Sequence, residues 1–479
     1  MALLVDGPAA DRGGARRGSS PAGRLTTSEL AALVEDGLID TVVAAFTDMQ
    51  GRFVGKRVSA RFFLDEVATR GFHFCNYLLG TDVEMGCPPG FERMGWEQGY
   101  GDWRAVPDLS TLRAIPWLEG TAFAICDVVD EHDGPVAIAP REMLRAQVAR
   151  AAALGFRALM GSELEFYLLR ETYEGARRKG FHGLEPYGWF FEDYQILQGT
   201  KAEPLYRQVR RGLEAAGVPV EFSKGEAGAG QHEINLRYAG ALEAADRHAI
   251  LKHALKELAL QNGLAVTFMA KPDHGWTGSS CHIHCSLHAP RSPEHRGAPV
   301  FPDPADADGL SQTMRAFLGG QVACGRAFCL LLAPTVNSYK RYASASWAPV
   351  NLAWGRDNRT CGLRVVGSGA GLRVENRLAG ADANPYLAFA AVLAAGLHGI
   401  RARCAAPPPF RGNAYEAEGL PRVPGSLPEA VSLFAGSPAA RDAFGAEAVR
   451  HYAQAGRVEQ AAFDRVVTCW ERERYLERI

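Results

Sequence analysis

Residues 161–169 read Gly-Ser-Glu-Leu-Glu-Phe-Tyr-Leu-Leu (GSELEFYLL), and residues 278–287 read Gly-Ser-Ser-Cys-His-Ile-His-Cys-Ser-Leu (GSSCHIHCSL). In an extended strand, residues i and i+2 share a face. Glu163 and Glu165 therefore point away from Leu164, Phe166 and Leu168, and His282 and His284 point away from Cys281, Ile283 and Cys285. Two more stretches repeat the pattern. In GEAGAGQHEINLRY, Glu233, Asn235 and Arg237 share a face and Glu226 sits in the Gly-rich approach, while GLRVENRL aligns Arg373, Glu375 and Arg377. The strands and helices around them mix without the regular βαβ alternation of a doubly wound sheet, so the expected fold class is α+β.

Singly, these patterns also fit a half-exposed edge strand, a loop with one solvated carboxylate, or a surface ladder of ion pairs, which is worth little energetically. Together they describe one cleft with several Glu and a His. Such a group cannot stay fully ionised without cations, because like charges at close range raise one another's pKa. The donor set is mostly carboxylate oxygen, which favours Mg²⁺ or Mn²⁺ over zinc. The alternation of His with Cys makes a joint zinc site geometrically poor. Arginines beside such ions suggest phosphate. No GxxxxGK[ST] loop is present, and GSGAG at 367–371 lacks a strand–turn–helix setting, so it reads as a turn.

The rest of the chain sets bounds on this reading. Its 479 residues carry 52 Lys+Arg against 54 Asp+Glu, a net charge of -2, which is not the basic field of a nucleic-acid binder. The ten cysteines show no CxxC pair and no apolar leader is visible, so a cytoplasmic, reducing location is expected. The run Tyr386 to Leu397 is about half of the ~20 residues needed to cross a bilayer, so no membrane partner is expected. Residues 1–24 read as a disordered arm and 25–131 as a small α+β unit, with a capped helix after Thr26 and two strands turning at Gln50-Gly51. Residues 132–479 read as the larger domain. Its first helix ends at Gly155, and a Pro-rich surface excursion runs from Ala405 to Pro428.

The strings FTDMQGRFVGKRV, WRAVPDLSTLRAIPW, GSELEF, GAGQHEI, KPDHGWTGSSCHIHCSL, PTVNSYKRY, WAPVNLAWGRDNRT, RVENRLAGADANPYLAFAAVLAAGLHGI and CWERERYL, in this order, resemble the glutamine synthetase family from about Thr26 onward. The resemblance implies an N-terminal β-grasp domain, a C-terminal catalytic domain whose antiparallel strands form a funnel, and a homo-oligomer of two stacked hexameric rings with sites at subunit junctions. It implies one divalent ion on Glu165, Glu226 and Glu233 and another on Glu163, His282 and Glu375, with two or three Mg²⁺ or Mn²⁺ per site. ATP would meet Arg359, Arg364 and Arg373, with Glu221, Tyr238, His284 and Ser286 on the nucleotide side. Glutamate would be held by Arg341, Arg377 and the Gly278 backbone. Asp102, and less directly Asp82, would reach the amine site from a neighbouring subunit.

The resemblance also implies the chemistry: ATP converts the γ-carboxylate of glutamate into an acyl phosphate, and an amine displaces phosphate. Ammonia-using members carry a glutamate on the loop after NSYKR, where this chain has Trp347, and an asparagine where it has Thr277. Trp accepts no proton. The expected activity is therefore ATP-dependent ligation of glutamate to a larger primary amine, a polyamine, ethanolamine or a monoamine. An aromatic ring can bound an alkyl stem or face an ammonium group. The alternatives are ordinary glutamine synthesis and a non-catalytic scaffold, and the persistence of all six ligand positions argues against the scaffold.

Overall fold

The computed structural model describes residues 21–290, 297–343 and 346–479. The arm expected over residues 1–24 lies outside the described residues up to position 20. Its last residues are anchored, with Arg24 bridging Arg113 and the Gly23 N–H donating to the Ala215 carbonyl.

The N-terminal unit opens with a helix, Thr27–Glu35, closed by the reciprocal bonds of Thr26 and Glu29. Six strands follow: β1 (Thr41–Thr47), β2 (Phe53–Ser59), β3 (Phe72–Cys75), β4 (Asp102–Pro107), β5 (Arg113–Ala114) and β6 (Thr121–Val129). They form a sheet of order β2-β1-β6-β4-β3, with β5 on β6. β1 runs antiparallel to β2 and parallel to β6, the mixed arrangement of a β-grasp. The turn between β1 and β2 needs Gly51, which has φ +80° and lies so close to Asn384 that a Cβ would sit 3.2 Å from its Cα.

Nine strands build the second sheet: β7 (Arg157–Leu169), β8 (Val220–Gly225), β9 (Gln231–Leu236), β10 (Ala239–Gly240), β11 (Ala265–Thr267), β12 (Cys281–His288), β13 (Trp354–Arg356), β14 (Leu363–Val366) and β15 (Arg373–Asn376). The order is β13-β14-β15-β12-β7-β9-β8, antiparallel throughout except for β13 on β14. GSGAG is the turn joining β14 to β15, with Gly367 and Gly369 at positive φ.

Helices Gln312–Leu332 and Pro385–Ala402 form the centre of the helical layer. Gly320 and Gly399 let their backbones meet, since a Cβ on Gly320 would fall 2.6 Å from the Gly399 Cα. By length and composition both helices resemble membrane spans, and the second extends the 386–397 run to 18 residues. Both are mostly buried inside the protein, as core helices are.

The first sheet is clamped to the helices by Arg141, on helix Pro140–Ala153. Its guanidinium donates to both Asp246 oxygens (2.9 Å each), to Asp127 on β6 (2.5 Å) and to Asp108 (2.8 Å). The Tyr386 hydroxyl also donates to Asp246, at 2.7 Å.

Candidate active site

Strand register brings the polar faces together. On β7, Glu163 lies opposite His282 of β12, and Glu165 lies opposite Glu233 of β9. On β15, Glu375 lies opposite His284 of β12 and Arg364 of β14. Two groups of potential ligand atoms result, Glu163/His282/Glu375 and Glu165/Glu226/Glu233, and within each group the atoms lie within 4.8 Å of one another.

The groups differ in electrostatics. In the first, His282 Nδ1 is 3.0 Å from Glu163 and 3.6 Å from Glu375, and His284 Nε2 is 2.9 Å from Glu163. Arg373 Nε donates to His284 Nδ1 (3.1 Å), so Nε2 carries the proton given to Glu163. Glu375 receives Arg364 Nη1 (2.9 Å) and Arg377 Nη1 (2.7 Å). Burial raises both carboxyls, yet their partners win. The two imidazoles hold Glu163 far below its usual range, and His282 and Arg377 hold Glu375 down to about 2.

In the second group, like charges face each other and donors are few. Glu165 accepts the Ser280 N–H (2.7 Å) and Gln231 Nε2 (3.2 Å), but burial and Glu226 push its pKa up to about 8. Among the described residues Glu233 accepts from Asn235 Nδ2 alone (3.0 Å), and burial, Glu226, Glu163 and Glu165 raise it well above the carboxylate range. Glu226 is paired with Lys224, which also bonds Asp193 at 3.1 Å. Facing carboxylates of this kind are destabilising unless a cation joins them. His282 Nε2 is buried and has no partner among the described residues. The donor chemistry fits hard divalent ions.

The other expected residues are placed as follows. Arg364 and Arg373 reach the first group. Tyr238, exposed, stands against Gly161 of β7, and Ser286 Oγ lies 3.3 Å from His288. Glu221 is exposed at a bulge in β8, a device that re-aims a side chain. Arg359 is exposed and lines a separate hollow of about 760 Å³ with Arg356 and Arg411. Gly278 admits no side chain, since a Cβ would meet Arg341 Cγ at 2.8 Å. Arg341 is buried and spends four of its five N–H groups on the Leu378 and Arg377 carbonyls and Ser280 Oγ. Arg377 keeps a buried Nε without a partner.

Asp102 begins β4 opposite Cys75 and is exposed. Asp82 Oδ1 accepts the Glu84 and Gly86 N–H groups, which makes it a turn-closing residue. It also lines a cavity of about 1270 Å³ between the first sheet and the helices, a cavity that none of the six ligand candidates borders. Trp347 is 59% exposed at φ +61°, a left-handed backbone that is rare for so bulky a residue.

Lys224, Gln231 and Ser280 were not anticipated. Gln231 precedes Glu233 by two residues on the same face of β9, so the period-two rule that aligned Glu233 also points to it, whereas Lys224, on β8, precedes Glu226 beyond the end of that strand and carries no such signal. Ser280 acts through its backbone and its hydroxyl, and the sequence pattern gives no sign of that.

Comparisons with known proteins agree with this geometry. Residues 137–475 match the family model described as glutamine synthetase, catalytic domain. The chain is 49% identical over 455 residues to gamma-glutamylethanolamide synthetase GlnA4 of Streptomyces coelicolor, covering 95% of this chain and 96% of the relative. It is 39% identical over 449 residues to glutamate–isopropylamine ligase of a Pseudomonas species, covering 93% and 97%. The solved structure of GmaS without ligand superposes with a TM-score of 0.82 at 30% identity, covering 94% of this chain and all of that one. Fold and site define a carbon–nitrogen ligase. The chain belongs to the glutamine synthetase family.

Proposed function

We propose that this enzyme activates the γ-carboxylate of L-glutamate with ATP and transfers the acyl group to a short primary amine, with ethanolamine the first candidate. The observation that carries this is 49% identity, over nearly the whole chain, to a γ-glutamylethanolamide synthetase, joined to two intact carboxylate groups at the centre of the sheet. The isopropylamine ligase supports an alkyl amine as acceptor.

Glu165, Glu226 and Glu233 would hold one divalent ion and Glu163, His282 and Glu375 another, Mg²⁺ or Mn²⁺. Bound there, the ions would neutralise phosphate charge and draw electron density from the transferred group. Arg364 and Arg373 would add fixed positive charge on the same side, and Arg359, now on the separate hollow, would meet the phosphates from its loop. Arg341 orders the ends of β12 and β15 and keeps one N–H free, while Arg377 offers its unpartnered Nε to a carboxylate.

The amine must arrive neutral. An alkylammonium with a pKa near that of Lys, ~10.4, is only about one part in 2500 deprotonated at pH 7, a deficit of roughly 4.6 kcal/mol. Trp347 cannot take that proton. Asp102, exposed on the first sheet, would serve a neighbouring subunit's site in a ring of six, two rings stacking as a dodecamer of units 25–131 and 132–479.

The test is Mg²⁺- and glutamate-dependent phosphate release from ATP with ammonium, ethanolamine, isopropylamine, putrescine and spermidine, with the product checked by mass. Strong turnover with ethanolamine or a short alkylamine and little with ammonium is expected. Ammonium as the best substrate would return the enzyme to glutamine synthesis.

A further inference from the structure

Within the Pro-rich excursion, residues 412–415 fold back onto the loop that precedes β14. Asn358 Nδ2 donates to the Gly412 carbonyl (2.9 Å), the Ala414 N–H to Thr360 Oγ1 (2.9 Å), and Asn351 Nδ2 to the Ala414 carbonyl (3.4 Å). These bonds fasten residues 412–415 to the 351–360 loop. Just beyond that loop, the Gly362 carbonyl accepts the Arg377 N–H at 2.9 Å. Among the described residues, the buried hydroxyl of Tyr415, carried by this segment, has no partner, and neither has the buried donor Arg377 Nε. Burial pushes the hydroxyl's pKa up, and the charges acting against that rise are the guanidiniums of Arg377 and Arg341.

Two dry, unsatisfied donors in one neighbourhood are costly, and buried polar groups are ordinarily paired. A single acceptor with several lone pairs satisfies both, and a carboxylate offers about four such sites.

We infer that the Tyr415 hydroxyl is a further binding residue for the acid substrate, donating to the same carboxylate to which Arg377 Nε donates. The inference deepens the reading of the chain as a glutamate–amine ligase and rests on it. It makes residues 412–415, within the Pro-rich excursion, a determinant of which acid is taken.

Tyr415→Phe removes one oxygen and nothing else. Glutamate binding is measured by calorimetry on the full chain with Mg²⁺ and ADP present, alongside thermal unfolding. Binding weakened about tenfold, with the melting temperature unchanged or raised, is expected for a lost hydrogen bond to a charged group. In turnover the KM for glutamate rises by the same factor while the KM values for ATP and amine stay. Unchanged glutamate affinity, or no glutamate binding by the unsubstituted enzyme, overturns the inference. An enzyme that binds glutamate through Tyr415 but releases no phosphate with any amine overturns the ligase reading and leaves the inference standing.

Discussion

Glu375 and Glu233 share one cleft with opposite electrostatics. Glu375 is held down to about 2 by His282 and Arg377 against its burial, whereas Glu233 is raised by burial and by three neighbouring carboxylates. The same substitution therefore acts with opposite sign on the cation-free protein. Glu375→Gln leaves the buried Arg377 guanidinium without its counter-charge and Arg364 with Asp357 alone, and is expected to cost about 3 kcal/mol. Glu233→Gln removes a like charge, keeps an oxygen for Asn235, and is expected to leave stability equal or higher. Both substitutions are expected to lower Mg²⁺-dependent turnover by about 100-fold or more. Denaturant titration with EDTA present separates them, and equal destabilisation by both would contradict the assignment of a cation to the crowded group.

The same crowding sets a pH signature. Four buried histidines, His232, His248, His282 and His451, are pushed by burial down to about 3, 3, 4 and 4. They bind fewer protons folded than unfolded, so stability rises with pH until unfolded His loses its proton near ~6.5. Glu165, raised to about 8, and Glu233, raised in the same direction, hold protons in the folded state that the unfolded chain has released. Their contribution falls as pH rises through that window. Lys252, pushed down to about 8 by burial and Lys256, enters only at its upper edge. Between pH 6.5 and 8 the cation-free protein is expected to lose stability as pH rises. Saturating Mg²⁺ should flatten or reverse the slope, because the ion competes with protons for the same oxygens. Melting temperatures at the two pH values, with EDTA and with Mg²⁺, measure this.

Arg141 is where the first sheet is coupled to the helices, since its nearly buried guanidinium joins Asp127 and Asp108 to Asp246 on helix Ala241–Gln261. Arg141→Ala leaves Asp246 buried with only the Tyr386 hydroxyl, and a loss of about 3–5 kcal/mol is expected. Arg70→Ala, which breaks an exposed helical pair with Glu66, is expected to cost less than about 1 kcal/mol. Chemical denaturation of the two variants makes the comparison, and equal losses would remove Arg141 from its clamping role.

The carboxylate groups were legible because a strand's period of two writes its faces directly into the sequence, and four strands carried that signature. Their assembly into two sets was legible only through resemblance, since register between β7, β9, β12 and β15 depends on pairings 64 to 131 residues apart. Long-range donors escaped for the same reason. Nothing near Tyr415 marks it, because its place depends on bonds from its neighbours Gly412 and Ala414, inside the Pro-rich excursion, to Asn351, Asn358 and Thr360. The apolar run at 386–397 was read as too short for a span, and the helix proved longer because flanking residues continue it into the core. Asp82 was expected at the amine site on resemblance alone, while its local Asx-type bonds to Glu84 and Gly86 show a turn function that the sequence Asp-Val-Glu-Met-Gly already permits.

Trp347 combines exposure with a backbone conformation that disfavours it. At φ +61° a bulky side chain pays about 1 kcal/mol or more that glycine does not. Its large exposed ring gains little packing in return within the chain. A residue retained at such cost fits a role in recognition, here bounding the alkyl stem of the amine. Trp347→Gly is therefore expected to leave stability equal or raise it by about 1 kcal/mol, while lowering kcat/KM for the best organic amine about tenfold or more. Ammonium, which has no stem to bound, should be used no worse. Steady-state kinetics with both amines and a denaturant titration decide the matter together. A variant that loses stability and keeps its amine preference would make Trp347 a packing residue, and a variant that loses activity equally toward both amines would place the ring in the chemistry common to them rather than in the choice of amine.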